Sequence, residues 1–334
     1  MSFNIRIILD LTSSYMLLAN TLKIGDTIWF IAPSYPTPYP PTEDQKDLLN
    51  NAIQKFEKFG FKTLCSKNCF AVDKYGISAW TPQQRADDLN EMFANPEIKA
   101  IYCVNGWATA NQILSLIDYQ NIQKNPKIFL GMSDVDVLHL AINTKTDLIT
   151  FNGINPKAGR KFGLDDEYTW NSFQERMIKK SKKIPASSER ICVRKGSAEG
   201  KVIGCNLATM LKLAGTDYFP NFENTILFLE ENKANIEKTI SRLQQLKEIW
   251  VFNKIKWIVI GYIYGFQDEK KIIENNIAVK YEDIVLDITK EFDFPILKTN
   301  DFGHRCPNCY VPIGAQVKMD AEKKTIELVG EFLI

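Results

Sequence analysis

From Lys23 onward, short apolar runs alternate with amphipathic segments through the first half of the chain. This alternation is typical of strand–helix units, in which helices cover a mostly parallel sheet. One amphipathic segment is predicted to form a helix over 82–94, because Thr81 can cap it and Pro82 suits its first position. The apolar runs predict five strands, at Thr27–Ala32, Phe61–Ser66, Ile98–Asn105, Lys127–Ser133 and Leu148–Gly153. The first half is therefore expected to be an α/β domain.

The pattern changes in the second half of the chain. A charged segment that contains aromatic residues, between Gly159 and Pro185, interrupts the alternation. Helical stretches from Leu207, Ile236 and Asp283 then interleave with short strands. These strands are predicted in RICVRK, GKVIG, TILFLE, KWIVIGYI and a terminal hairpin of AQVKMD and KTIELVG. A mixed α/β domain is expected.

The length of the chain predicts two domains. Its 334 residues exceed the roughly 250–300 at which a single core stops growing. We therefore expect an N-terminal extension over 1–21, an α/β domain over 22–156, a connector over 157–187 and a C-terminal domain over 188–334.

Composition narrows the possible partners and compartments. The formal net charge of +1, from 41 basic and 40 acidic residues, gives no electrostatic footprint for a nucleic acid polymer. Seven scattered cysteines favour a reducing compartment over a disulfide framework. Asp10 interrupts the apolar run within residues 1–20, and no signal cleavage site follows. No apolar stretch reaches the length of a membrane span. A soluble, cytoplasmic protein without a membrane partner is expected.

The segment Gly131-Met132-Ser133-Asp134 lies where an apolar strand gives way to a helical pattern. Serine at that point can be a helix N-cap and nothing more. The same turn would also expose a nucleophilic hydroxyl beyond the carboxyl edge of the sheet, where open α/β folds bind ligands. The backbone N–H of Asp134, at a helix N-terminus, could then stabilise an oxyanion.

Two acids end the strand TILFLEEN. Such residues are often solvated, but the alternation of side chains along a strand sends Glu230 and Glu231 to opposite faces. At most one of them can join a shared site, and Glu230 is the stronger candidate because it lies closer to the strand.

One of only two histidines, His304, precedes Cys306 and Cys309. A zinc site would need a further ligand pair, and no comparable pair of cysteines occurs elsewhere in the sequence. A redox pair would precede a helix, whereas Tyr310-Val311-Pro312 begins an extended run. A general base is the third possibility, because His139 is predicted to point away from Ser133 on its helix. The two cysteines are then packing residues.

Motifs along nearly the whole chain, from about Leu22 to the C-terminus, carry a family resemblance. They are LKIGDTIWFIAPS, TPQQRADDLNEMFANPEIKAI, NPKIFLGMSDVDVLHLAI, GKVIGCNLATM, LAGTDYFP followed by TILFLEE, and DFGHRCP with VPIGAQV. Their order resembles that of the LD-carboxypeptidase family of serine peptidases, with NQILSLIDY and NPKIF most similar to its microcin C self-immunity branch.

The resemblance implies a serine hydrolase without a metal or cofactor. Carried over by position, Ser133 is the nucleophile, His304 the base and Glu230 the residue that orients the imidazole. It further implies a flavodoxin-like N-terminal domain, a smaller C-terminal domain, a site between them and a homodimer. The implied substrates are muropeptides, which lose a terminal D-amino acid, or peptidyl- and aminoacyl-nucleotides.

Three departures from the family pattern surround these residues. The oxyanion loop, Arg-Gly-Gly-Tyr-Gly in the family, is here 105–109 with Gly106 followed by Trp107. Asp136 replaces a usual threonine, and Cys205 replaces a glycine before Asn206. We expect Gly106, Trp107, Asp134 and Asn206 to bind the oxyanion or the substrate. A binding protein that is weakly active or inactive is the alternative. Trp107 and Trp170 could stack on a nucleobase, but packing is the favoured interpretation for both.

Overall fold

The computed structural model describes residues 16–37, 43–157, 159, 161–266 and 279–334. Residues 1–15 of the predicted N-terminal extension lie outside this part of the chain. Residues 16–21 do not stand apart from the fold: Leu17 pairs with Leu148, and the N–H of Thr21 donates to the carbonyl of Ile334. Among the described residues, no helix is long and apolar enough to span a membrane.

Thirteen strands, numbered in chain order, form two sheets in the described residues. They are β1 Thr27–Ile31, β2 Lys62–Cys65, β3 Ile98–Cys103, β4 Ile128–Gly131, β5 Thr150–Asn152, β6 Ile191–Arg194, β7 Ser197–Asn206, β8 Thr225–Asn232, β9 Trp257–Tyr264, β10 Ile296–Gly303, β11 Val311–Ile313, β12 Gln316–Asp320 and β13 Thr325–Val329.

The helices in the same part of the chain interleave with these strands. They are α1 Glu43–Phe59, α2 Pro82–Ala94, α3 Tyr119–Lys124, α4 Asp136–Thr146, α5 Glu167–Met177, α6 Leu207–Met210, α7 Ile236–Glu248 and α8 Tyr281–Ile288. The helix predicted over 82–94 is confirmed as α2. It begins where predicted because Thr81 and Gln84 form a reciprocal capping box and Pro82 occupies the first turn.

The first sheet confirms the predicted α/β fold class. Its strand order is β11-β5-β4-β3-β1-β2, and β1 to β5 pair in parallel. The order 2-1-3-4-5 is that of flavodoxin-like sheets, which bind ligands beyond the carboxyl ends of their strands. All five predicted strands are present, and each begins and ends within two residues of its expected bounds.

The second sheet has the order β13-β12-β7-β8-β9-β10-β6. Its centre, β7 to β10, is parallel, and antiparallel strands complete both sides. The sequence did not predict β10, because polar residues dominate ILKTNDFG after its first two positions. Two of those polar side chains, Thr299 and Asp301, are buried and hydrogen-bonded to each other at 2.5 Å.

The segment expected as a connector, 157–187, contains helix α5. In this helix, Trp170 stacks on Phe173 at 5.5 Å, and both rings contact Phe56 of α1. The amphipathic pattern of α5 was obscured by the charged residues around it. Trp170 therefore packs against the helices of the first sheet, which favours packing over base stacking for this residue.

The C-terminal part of the chain joins the two sheets. Strand β11 pairs antiparallel with β5 of the first sheet. One residue beyond it, the N–H of Gly314 donates to Val202 in β7 of the second sheet, and Val202 donates back to Ala315. This double attachment fixes the carboxyl edge of β4 relative to the ends of β8 and β10.

Candidate active site

Ser133 lies in a tight turn between β4 and α4. Its φ of 69° is in the left-handed region, which costs a residue other than glycine about 1–2 kcal/mol. A 3₁₀ turn over Ser133–Val135 follows directly and continues into α4. A strained strand-to-helix turn of this kind presents the serine hydroxyl at the edge of the sheet.

The loop after β3 lies against this turn at Gly106. A Cβ atom added to Gly106 would lie 2.8 Å from the backbone nitrogen of Asp134 and 2.9 Å from Cβ of Ser133. Any side chain at this position would therefore collide with the backbone of Ser133 and Asp134. Glycine lets the two loops approach each other this closely.

The carboxylate of Asp134 holds three loops together behind the serine. It is fully buried and accepts hydrogen bonds from Oγ of Ser34 at 2.6 Å and the N–H of Ala110 at 2.7 Å. Nζ of Lys212, from the second half of the chain, lies 2.5 Å from it and also donates to the carbonyl of Ala108 at 3.1 Å. The sequence singled out Asp134 for its backbone N–H and not for this carboxylate, and it gave no signal for Lys212.

Trp107 is not packed in the protein interior, which is the role that the sequence favoured for it. Its side chain is 66% exposed and lies 5.6 Å from the ring of Tyr35. Its φ of 149° is one that glycine adopts more readily than tryptophan. Side-chain bonds hold the preceding residue: Asn105 donates to the carbonyl of Pro36 at 3.1 Å and accepts from Lys157 at 2.9 Å.

Glu230 is buried in β8 and contacts both Asn206 and His304. Its Oε1 accepts from Nδ2 of Asn206 at 2.6 Å, and its Oε2 lies 2.8 Å from Nδ1 of His304. The backbone N–H of His304 also donates to Oε2, at 3.3 Å. Asn206 itself is oriented because its Oδ1 accepts the N–H of Thr209 at the start of α6.

Glu231 points to the opposite side of β8, as the alternation along the strand predicts. It pairs with Arg242 and accepts from Thr239 at 3.3 Å and Tyr281 at 3.1 Å. Burial raises the pKa of Glu231, while Arg242 and the hydroxyl donors counteract that rise. It takes no part in the contacts of His304.

The loop that carries His304 follows β10 and is fixed by Asn308. The amide of Asn308 donates to the carbonyls of Gly303 and Cys306, at 3.0 and 2.7 Å. Cys306 and Cys309 are free and buried, and burial raises the pKa of the Cys309 thiol to about 12. The described residues contain no cluster of three His, Cys, Asp or Glu side chains placed to hold a metal ion.

His139 lies apart from this arrangement. It is fully buried, its Nε2 is 3.0 Å from the carbonyl of Gly131, and burial lowers its pKa to about 4. Of the two histidines, His304 alone contacts a carboxylate in the described residues.

Ser133 and His304 line the same cavity, of about 970 Å³, together with Gly106 and Trp107. Glu230, Asn206 and Asp134 are buried behind its wall. Among the described residues, the lining includes no Asp or Glu but includes four cationic side chains: Lys157, Lys161, Lys233 and Arg305. Sequence reasoning missed these cations, although Lys233 and Arg305 closely follow the predicted Glu230 and His304.

Comparison with known proteins identifies both parts of the chain. Residues 28–153 match the LD-carboxypeptidase N-terminal domain, and residues 199–319 match the LD-carboxypeptidase C-terminal domain. The microcin C7 self-immunity protein MccF of Escherichia coli is 31% identical over 96% of this chain and 98% of its own length. A probable murein peptide carboxypeptidase of Bacillus subtilis is 29% identical over 91% and 92%.

Solved structures give the same relationship. MccF in complex with glutamyl sulfamoyl guanosine superposes with a TM-score of 0.85 at 26% identity, covering 95% of this chain and all of that one. A muramoyltetrapeptide carboxypeptidase from Oxalobacter formigenes shares the fold, with a TM-score of 0.75 at 22% identity over 92% of this chain and 100% of that one.

Proposed function

The chain belongs to the LD-carboxypeptidase family, and from this membership we propose that it hydrolyses an amide bond with Ser133, His304 and Glu230. The observation that carries the proposal is the 2.8 Å contact between Nδ1 of His304 and the buried carboxylate of Glu230, beside a cavity that Ser133 also lines. A carboxylate on Nδ1 fixes the tautomer in which Nε2 accepts a proton.

The chemistry follows from these positions. Oγ of Ser133 attacks the carbonyl carbon while Nε2 of His304 takes its proton, and the imidazolium then protonates the leaving nitrogen. Water, activated by His304 in the same way, then attacks the acyl-enzyme. This releases the carboxylic acid and restores Ser133. Glu230 stabilises the imidazolium throughout and does not itself become protonated.

Backbone N–H groups next to Ser133 are proposed to bind the oxyanion. The N–H of Asp134 directly follows Ser133, and that of Trp107 is on the adjoining loop, next to Gly106. Loss of one such donor typically costs about 2.7–4 kcal/mol of transition-state stabilisation. Two contacts are expected to hold this loop in place although the φ of Trp107 is strained. They join Asn105 to Lys157 and Lys212 to Ala108.

Glu230 and Glu231 offer a matched pair of variants. Glu230→Gln is expected to lower kcat by about 10⁴-fold, because an amide in place of the carboxylate favours the wrong tautomer of His304. Glu231→Gln removes a buried carboxylate from the other face of the same strand and is expected to keep kcat within a few-fold. Steady-state kinetics on both folded variants checks this, and equal losses in the two would contradict the assignment.

An aminoacyl- or peptidyl-nucleotide is the substrate class that the cavity supports best. Trp107 and Tyr35 offer aromatic faces, and stacking of a base on such a ring is worth about 1–3 kcal/mol. The four cations suit a phosphate or a similar anionic group. MccF has been solved with glutamyl sulfamoyl guanosine and with aspartyl sulfamoyl adenosine. Muropeptides, also anionic, are the second class to be tested.

Charge reversal tests the contribution of the cations. Lys233→Glu and Arg305→Glu are each expected to raise KM for an anionic substrate about tenfold, because the cavity loses an attractive charge and gains a repulsive one. Lys318→Glu, on the exposed side of β12, reverses the same charge away from the cavity and serves as the control. Steady-state kinetics at low and high salt makes the measurement. Equal KM values for all four proteins would contradict an anionic substrate.

A further inference from the structure

We propose that Asp136, the first residue of α4, is a positioning residue that sets the geometry of His304 through Asn206 and Glu230. This inference rests on the proposed function, in which His304 is the base. It assigns a role to a residue at which the chain departs from the family pattern.

Asp136 is in direct contact with Asn206. Its side chain is 1% exposed, and its Oδ2 accepts the backbone N–H of Asn206 at 2.7 Å. Its Oδ1 accepts from Nδ2 of Asn152, at the end of β5, at 2.5 Å. Both oxygens are therefore occupied by neutral donors from two different strands, which fixes the plane of the carboxyl group.

Hydrogen bonds of Asn206 connect Asp136 to Glu230 and so to His304. Its backbone N–H is bonded to Asp136 and its Oδ1 to the N–H of Thr209. These two bonds fix the orientation of the Asn206 side chain, and with it the position of Nδ2. Nδ2 donates to Oε1 of Glu230, at 2.6 Å, which leaves Oε2 for Nδ1 of His304. Three successive contacts thus connect the helix after Ser133 to the proposed base.

The backbone before Asn206 makes the first of these contacts important. Cys205 has a φ of 108° and Gly204 a φ of 126°, and a Cβ on Gly204 would lie 2.1 Å from the carbonyl oxygen of Phe228. A non-glycine residue with such a φ persists only where surrounding contacts hold it. The hydrogen bond from Asn206 to Asp136 is one contact that does so.

Asp136 is buried among other acidic groups. Glu230 on β8, Asp134 on the 3₁₀ turn and Cys205 on β7 lie around it. Burial and the two carboxylates raise the pKa of Asp136 well above its usual range, while the donors from Asn206 and Asn152 offset the rise only in part.

A matched pair of isosteric variants separates this role from simple packing. Asp136→Thr keeps an oxygen that can accept the N–H of Asn206, whereas Asp136→Val has the same shape and no acceptor. Asp136→Asn keeps one acceptor oxygen, which can serve the N–H of Asn206, and has no ionisable group. We expect Asp136→Val to lower kcat by about 100-fold with KM unchanged, and the Thr and Asn variants to stay within about fivefold of the wild type.

A second readout does not depend on turnover. The chain has only two histidines, so ring NMR signals can be assigned with His139 as an internal reference for the fold. The wild type and the Thr and Asn variants are expected to show the low-field Nδ1–H signal of a His304 bound to Glu230. Asp136→Val is expected to lose that signal while the His139 signals stay in place.

The outcomes are distinct. Unchanged kcat and an unchanged His304 signal in Asp136→Val would overturn the proposal, as would losses of equal size in all three variants. If Asp136→Val does not fold, a 100-fold loss in either the Thr or the Asn variant overturns it, and retained activity in both supports it. If the wild type hydrolyses no amide, the proposed function fails, while the NMR comparison still decides whether Asp136 sets the contact between Glu230 and His304.

Discussion

Replacing Ser133 by alanine is expected to lower kcat for amide hydrolysis about 10⁶-fold, as removal of the nucleophile does in other serine hydrolases. The loss arises because the acyl-enzyme can no longer form, and the oxyanion donors alone leave only a small residual rate over water. Alanine also relieves little of the strain at a φ of 69°, so the turn is expected to keep its shape. Steady-state kinetics with a sensitive product assay checks the loss.

Substrate binding should survive the same change. Calorimetry on Ser133→Ala is expected to give a Kd close to the KM of the wild type, because the cations and aromatic rings of the cavity are untouched. Ser197→Ala, at an exposed position in β7, is the control for a serine-to-alanine change. Turnover retained in Ser133→Ala would contradict the proposed nucleophile. Tight binding by a wild type that shows no turnover would instead favour a binding protein.

Replacing His304 by alanine is expected to lower kcat to a similar extent, about 10⁶-fold, because serine is a weak nucleophile without an adjacent base. The double variant Ser133→Ala/His304→Ala should be no slower than either single variant, since the two residues act as one unit. Kinetics on the three variants makes the comparison. Losses that add in the double variant, or a His304→Ala protein that keeps more than a few per cent of its kcat, would contradict the assigned base.

The sequence predicted the first sheet well because its signals are local. Buried parallel strands read as continuous apolar runs, and the start of α2 is marked by Thr81 and Pro82 within one turn. The identities of Ser133, Glu230 and His304 came from motifs in the order of the family. What the structure adds is that Glu230 and His304 are in contact.

The rest could not be predicted because it depends on contacts between distant parts of the chain. Strand β10 has few apolar residues, and its buried Asp301 is paired with Arg190 at 2.7 Å. The bond from Asn206 to Asp136 joins two residues 70 positions apart. Both links involve buried polar groups, whose partners leave no periodic pattern in a sequence.

The conformation of the loop at Trp107 could also be predicted only in part. The sequence indicated strain if tryptophan had to adopt a positive φ, and the φ of 149° is of that kind. It did not indicate that Tyr35 packs on the indole or that Lys212 donates to the carbonyl of Ala108. These contacts support a loop that keeps its position beside Ser133 although tryptophan stands where the family has glycine.

The most direct test of amide hydrolysis at Ser133 is mass-spectrometric detection of products in ¹⁸O-labelled water. The substrates are muropeptides and aminoacyl sulfamoyl nucleosides, incubated with the wild type and with Ser133→Ala. We predict that the wild type releases a free acid carrying one ¹⁸O from at least one member of the panel, with aminoacyl nucleosides preferred, and that Ser133→Ala releases none. No labelled acid from a folded wild type, or equal release by Ser133→Ala, would contradict the proposed hydrolase.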